Sequence, residues 1–417
     1  MQRCRTLHHG VEGFFVIPPR EQMSFAEGAF LRGFCAPGSV TMSGGTTVTT
    51  TVPCTYRIAR IATPEQPFVT EHGDILPVVD IAYETWGTLS PTRDNVVLIC
   101  HALTGSSHVA SHAPDDQPGW WEPMVGPGRF IDTDRYFVVC ANVLGSCYGS
   151  TGPRSIDPRT GRRYNLRFPL ITIRDIVRTQ ALLLDQLGID RLYAVIGGSL
   201  GGMQVLEWAA MYPDRVERIV PIAVGGQFSD QGIAYNEVQR RAIMLDPAWQ
   251  NGEYEDGEGP QRGLAIARML GMITYQSDEL MTARFQRRTE ARYTAWPEFL
   301  GRYDVEGYLH YQGDKLVRRF DANCYLYLTR AMDSHDLGRG RGGYPAGLAA
   351  IRARTLCIGI RSDILFWPSQ VRQLAEHLRT FGTDARYWEL DSPNGHDAFL
   401  KDFDQIGPVI ADFLAEP

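Results

Sequence analysis

Four stretches of this chain are apolar with almost no alternation: NVVLIC (95–100), RYFVVCANV (135–143), RLYAVI (191–196) and RTLCIGI (354–360). A strand of that composition has no face to turn to water, so it belongs inside a sheet covered on both sides. Helical patterns stand between these runs. TIRDIVRTQALLLDQLGI (172–189) places Ile173, Ile176, Val177, Leu184 and Leu187 near a 3.6-residue period and ends at Gly188. GMQVLEWAAMY follows the third run and stops at Pro213. RVERIVPIAVGG (215–226) and ARYWELD (385–391) add two strands, SQVRQLAEHLRTFG (369–382) and IGPVIADFLAE (406–416) two helices. Strand and helix in turn specify an α/β fold, a mostly parallel central sheet with helices on both faces. VVDIAYETWGTL (78–89) alternates instead, which predicts an exposed-edge strand of an antiparallel pair.

The rhythm breaks after Gly226. Residues 228–347 are Arg- and Tyr-rich and helical in pattern, and the strand pattern then resumes. The simplest division is one core in two parts, 55–227 and 348–417, interrupted by a helical insertion over 228–347. The first 54 residues stand apart: SVTMSGGTTVTTTVP (39–53) is rich in Ser, Thr and Gly and shows no core-forming period. They are expected to form a disordered arm. Translation from Met23 or Met42 is the second reading and a targeting peptide the third, since FFVI is shorter than a secretory apolar region.

A net charge of −7 leaves no basic excess to neutralise phosphates, which excludes nucleic acid and anionic membrane surfaces as expected partners. No apolar stretch approaches the ~20 residues of a membrane span. Eight cysteines among 417 residues form no C-x-x-C pair, and Cys100, Cys140 and Cys357 lie inside apolar runs. A reducing, cytoplasmic compartment is expected. The ten histidines and the carboxylates show no metal-ligand spacing, so no metal is expected. GSTGPRSIDPRTGRR (149–163) holds four arginines but no G-K-[ST] ending; it reads as a solvated loop, with anion docking as the alternative.

Gly197-Gly198-Ser199-Leu200-Gly201 fits G-x-S-x-G with a strand before it and a helix after it. Such an elbow lifts a serine hydroxyl above the sheet edge on a strained backbone, and its glycines let neighbouring chain come close. The helix that follows favours negative charge developing at its N-terminus. A serine hydroxyl needs a base, itself oriented by an acid, in the chain order Ser, Asp or Glu, His. RSDILF puts Asp363 just past one strand, and SPNGHDAF puts His396 past the next. Asp391 is the rival acid, and Asp363 has a second reading as a helix cap. His101 and His108 are the rival bases. Backbone N–H groups of Leu200 and of Leu103, in the loop after NVVLIC, are the expected oxyanion-hole donors.

Six blocks carry a resemblance over nearly the whole chain from about residue 55: CHALTGSSHVA, GWWEPMVGPGRFIDTDRYFVVCANVLGSCYGSTGPRS, GGSLGGMQVLEWA, IAYNEVQRRAIMLDPAW, FDANCYLYLTRAMD and DSPNGHDAFL. In these the sequence resembles the homoserine O-acetyltransferase family. The resemblance implies an α/β-hydrolase fold with a helical lid and ping-pong transfer of an acyl group from acetyl-CoA to L-homoserine, in methionine biosynthesis. It implies no bound cofactor and a homodimer formed through the lid. Ser199, Asp363 and His396 match the nucleophile, acid and base; Arg240 matches the residue that binds the amino acid's carboxylate, and Asp397 the acid that holds its ammonium. Arg241 is the near rival to Arg240. Three positions depart from the family's common pattern: Leu200 for Met, Ser106 for Asp and Ser146 for Gly. The last two lie in loops near the site and bear on donor and acceptor preference. Succinyl-CoA as donor, serine as acceptor, or a water-using esterase or thioesterase of the same fold are the alternatives.

Overall fold

The structure, a computed structural model, describes residues 56–289 and 303–417 and, before them, the backbone of Val40–Thr41 and Thr47–Val48. Eight strands form the central sheet: β1 (Arg57–Ala62), β2 (Val79–Trp86), β3 (Val96–Cys100), β4 (Phe137–Ala141), β5 (Leu192–Gly198), β6 (Val216–Ile222), β7 (Arg354–Ile360) and β8 (Ala385–Leu390). Their spatial order is β8-β7-β6-β5-β3-β4-β2-β1. β3 to β8 run parallel, and β2 is antiparallel to both of its neighbours. The continuous apolar runs are indeed the buried inner strands: every residue of β3 is buried.

The 78–89 stretch is not an edge strand. β2 pairs with β4 on one side, Val138 opposite Trp86, and with β1 on the other, Arg57 opposite Tyr83. β1 is the true edge; RIARIA is short, charged and half exposed, as an edge that avoids pairing with other chains should be. Two of the polar residues that give β2 its alternation, Asp80 and Glu84, are held by partners. Arg60 takes Asp80 in a two-pronged pair at 2.9 and 3.0 Å, and the loop after β3 closes over Glu84.

Helices α1 (Ile173–Gln186), α2 (Leu200–Met211) and, later in the chain, α9 (Pro368–Thr380) cover one face; α10 (Phe403–Ala415) and the segment around Trp121 cover the other. α1 starts where Thr172 and Asp175 exchange capping bonds and ends at Gly188, whose φ of +69° suits the left-handed position after a helix. α2 is buried along nearly its whole length, pressed on β5 and β6.

Between β6 and β7 the described residues form helices α3 (Asp230–Met244), α4 (Gln261–Tyr275), α5 (Asp278–Phe285), α6 (Asp304–Val317), α7 (Ala322–Asp333) and the short α8 (Tyr344–Ala349). α3 packs on α4 and α7, and α4 on α6. Of the first 54 residues only an antiparallel pairing of Val40–Thr41 with Thr47–Val48 is described; the expectation of a disordered arm otherwise falls outside the described residues. No helix among the described residues is long and apolar enough to cross a membrane.

Candidate active site

Because β3, β5, β7 and β8 are parallel, the loops after them open on one edge of the sheet. Ser199 follows β5 with φ 60° and ψ −124°, a conformation costing on the order of 1–3 kcal/mol for a residue with a side chain. The surroundings hold it there. The Ser199 N–H donates to the Ile222 carbonyl of β6 at 3.0 Å. A Cβ on Gly201 would lie 2.1 Å from the Cys100 carbonyl oxygen, and one on Gly198 would lie 2.6 Å from the Phe399 ring. The glycines therefore serve close approach, of the β3 end on one side and of the base's own segment on the other.

Asp363 lies in the turn after β7 and is 1% exposed. It does not cap α9, whose N-cap is Trp367. One carboxylate oxygen accepts the Leu365 and Phe366 N–H groups at 2.8 and 3.0 Å, and the other meets His396 Nδ1 at 2.7 Å. His396 stands in a short helical turn after β8, stacked on Phe366 at 5.3 Å and flanked by Phe399 at 5.7 Å and Tyr275 at 5.8 Å. Burial lowers the pKa of this imidazole, but the Asp363 charge and hydrogen bond, helped by Asp397, outweigh it and leave the pKa above the ordinary value. Its Nε2 is buried and has no hydrogen-bond partner. A ring fixed through Nδ1, with its other nitrogen unengaged, has the geometry that a general base requires.

The rivals are disposed of by their surroundings. Asp391 is 80% exposed at its side chain and paired with Arg361 at 2.5 Å. His101 is fully buried, with Nδ1 at 2.8 Å from the Ala102 carbonyl and Nε2 accepting the Val143 N–H at 3.2 Å; burial pushes its pKa down to about 4. It is a satisfied structural imidazole. His108 belongs to another cluster. Glu84, 2% exposed, accepts from Ser107 Oγ, His108 Nδ1 and His112 Nε2, each at 2.8 Å. These three, Glu84, His108 and His112, are the described residues whose spacing could hold a metal ion. However, His108 Nε2 also meets the Gln117 carbonyl at 2.7 Å. With oxygen acceptors at both nitrogens the ring carries both protons, so the geometry is that of a part-buried histidinium on a buried carboxylate. Burial opposes both charges, but their contact prevails, leaving Glu84 down at about 2 and His108 up at about 9.

Leu103 and Leu200 flank the elbow. Leu200 is the first residue of α2, where a backbone N–H has no intrahelical acceptor. Leu103 follows β3 inside a tight turn closed by the Gly105 N–H on the Ala102 carbonyl at 2.9 Å.

Arg240, on α3, is 3% exposed, whereas Arg241 beside it is exposed. One Arg240 nitrogen meets Asp333 at 2.8 Å and Glu237 at 3.0 Å, while its Nη1 is buried with no partner. Asp397, part-buried beside the base, has Lys401 at 3.5 Å, and its charge is felt by His396, Tyr275 and Tyr308. Three of the four arginines of the 149–163 loop are engaged internally: Arg159 with Asp157 at 2.9 Å, Arg154 and Arg163 with Asp256.

The chain's match to a family model covers residues 95–403 and is described as alpha/beta hydrolase fold. The homoserine O-acetyltransferase of Symbiobacterium thermophilum is 59% identical over 363 residues, which is 86% of this chain and 95% of that protein. This chain belongs to the homoserine O-acetyltransferase family. The enzyme of that name from Carboxydothermus hydrogenoformans is 52% identical over 348 residues, 82% of this chain and 92% of its own. Among solved structures, the homoserine O-acetyltransferase of Bacillus anthracis is 30% identical with a TM-score of 0.81, covering 87% of this chain and 98% of that one. Esterase E22 is 33% identical with a TM-score of 0.79, covering 86% and 99%. The family's frame thus accommodates proteins named for transfer and for hydrolysis, and the site's charges must discriminate. The aromatic box around His396 escaped the sequence reading; Tyr275 lies far from His396 in the chain, and only lid packing brings them together.

Proposed function

We propose that this enzyme moves an acetyl group from acetyl-CoA to the hydroxyl of L-homoserine through an acyl-enzyme on Ser199, a step of L-methionine biosynthesis. Arg240 carries the choice of acceptor. A buried guanidinium with an unpaired N–H is costly, on the order of 1–3 kcal/mol or more, and a substrate carboxylate relieves that cost. Asp397, beside the base, offers the matching anion for an ammonium group. Arg240 and Asp397 together make a clamp for a zwitterion, which a hydrolase of simple esters does not need.

His396 Nε2 takes the Ser199 proton as the oxygen attacks the thioester carbon. The Leu103 and Leu200 N–H groups receive the oxyanion. Collapse breaks the carbon–sulfur bond, and the thiolate of CoA leaves with the proton from His396. Homoserine then enters, His396 takes its hydroxyl proton, and the new alkoxide attacks the acyl-enzyme. Ser199 regains the proton as O-acetylhomoserine departs. Holding the acceptor hydroxyl in place gives it the advantage over water that high effective molarity provides, on the order of 10⁵ M or above.

Acetyl-CoA is a co-substrate in this reading, and no bound cofactor enters it. The lid supports a homodimer, because neighbouring α4 and α6 leave Ile266, Ile273 and Tyr311 about half exposed. The free thiols Cys100, Cys140 and Cys357, all buried, support a reducing cytoplasm. A water-using esterase is the second reading, favoured by the likeness to esterase E22.

CoA release from acetyl-CoA or succinyl-CoA, each with homoserine, with serine and with water alone, separates these readings. Fast release only with acetyl-CoA plus homoserine is expected. Release without acceptor that homoserine does not accelerate would establish the hydrolase. In the same assay Arg240→Ala is expected to raise the homoserine KM about 10²-fold, the scale of a lost charged hydrogen-bond pair, with the acetyl-CoA KM nearly unchanged. Equal effects on both would remove Arg240 as the carboxylate's partner.

A further inference from the structure

One cation crosses from the lid to the catalytic edge with no part in that scheme. Arg319 lies in the link between α6 and α7. Its Nη1 donates to the Thr104 carbonyl and to the Tyr148 hydroxyl, both at 2.7 Å, and Nη2 reaches Thr104 Oγ1 at 3.3 Å. The link itself is anchored. The Arg319 N–H donates to the Leu316 carbonyl at 3.0 Å, and the next residue, Phe320, is buried edge-on against Tyr148 at 5.7 Å.

Thr104 and Leu103 are the two central residues of the turn closed by Gly105 on Ala102. Grip on the Thr104 carbonyl therefore sets the tilt of the turn that presents the Leu103 N–H. The far side of the same loop is held from the sheet: the Ser107 N–H donates to Asn142 Oδ1 at 3.1 Å and its hydroxyl to Glu84 at 2.8 Å. The turn is braced between sheet and lid, and the lid's side of the brace is charge-assisted, hence about twice as strong as a neutral bond.

We propose that Arg319 is a positioning residue for the oxyanion hole: it locks the Leu103 turn onto the lid, so that the seat of the lid sets the strength of transition-state stabilisation. The inference rests on the reading of the Leu103 N–H as a donor in acyl transfer. Oxyanion donors act within a few tenths of an ångström, and a displacement of about 1 Å costs on the order of 10²-fold.

Arg319→Ala is therefore expected to slow acyl-enzyme formation from acetyl-CoA by about 10- to 100-fold, measured in single turnover. The KM values for acetyl-CoA and homoserine should stay within twofold, and added guanidinium should restore part of the rate. The ratio of acetyl-CoA hydrolysis to transfer should not change. A raised KM at unchanged acylation rate would make Arg319 an anion-binding residue instead. More hydrolysis at unchanged acylation rate would make it a seal against water. Either result, or an unchanged enzyme, overturns the proposal. If Arg319→Ala does not fold, Arg319→Lys tests the same idea, because an ammonium keeps the charge but loses the fork that spans Thr104 and Tyr148. A drop of about 10-fold in acylation is expected there, and wild-type acylation overturns the proposal. The underlying chemistry is tested separately: Ser199→Ala should form no acyl-enzyme, whatever Arg319 does.

Discussion

Ser199→Ala is expected to lower acyl transfer by a factor on the order of 10⁴ or more, leaving only what binding and the oxyanion donors supply to uncatalysed reaction. The comparison must be made on folded protein. The backbone at residue 199 keeps its φ of 60°, and alanine suffers there about as serine does, so the thermal midpoint should move little. CoA release and circular dichroism on the same preparation check both halves. Turnover retained within 10-fold of wild type would remove Ser199 as the nucleophile and return the elbow to a strand-to-helix turn.

Asp363→Asn should cost about 10³- to 10⁴-fold in kcat. An amide in place of the carboxylate can donate to Nδ1, which forces the imidazole proton onto Nε2, the nitrogen that must accept. The pH profile separates this cause from simple disruption. The Asp363 charge and hydrogen bond oppose burial and raise the His396 pKa, and the base works only when neutral. Wild-type kcat/KM should thus climb with pH through an acid limb above the usual imidazole value. Removing the charge lowers that pKa, so the limb should shift to lower pH although the plateau falls. A wild-type plateau with an unmoved limb would transfer the acid's role elsewhere. Asp391 is a weak successor, exposed and already paired with Arg361.

The frame was legible because buried parallel strands leave a mark that periodicity can read: β3, β5 and β7 are apolar runs with no solvent face. The proposed triad was legible for a topological reason. Parallel strands place their carboxyl ends on one edge, so Asp363 and His396 could be assigned from strand ends without knowing any distance. The proposed arginine clamp depended on resemblance, since nothing local distinguishes Arg240 from Arg241; burial on α3 does. Three features stayed hidden. RIARIA carries too little apolar signal to announce a strand, and without β1 the alternation of β2 looked like an exposed edge. Glu84 looked solvent-facing because its three hydrogen-bond donors come from a loop more than 20 residues away in the chain. Arg319 lay in a helical block whose faces could be counted but whose contacts with the sheet could not.

The lid leaves the sheet after Ile222 and returns at Arg354, yet β6 and β7 are hydrogen-bonded neighbours, Ile222 opposite Ile358. Closing such a long excursion has an entropy cost that grows only logarithmically with its length, about 0.6 kcal/mol for each doubling. The catalytic edge is therefore nearly indifferent to how many residues the excursion holds. Speed is the counterpart. The β6–β7 seam joins residues remote in sequence, and contacts of that kind form late. A nascent chain holds an open seam, with Ser199 already turned out, until residues 354–417 arrive with Asp363 and His396.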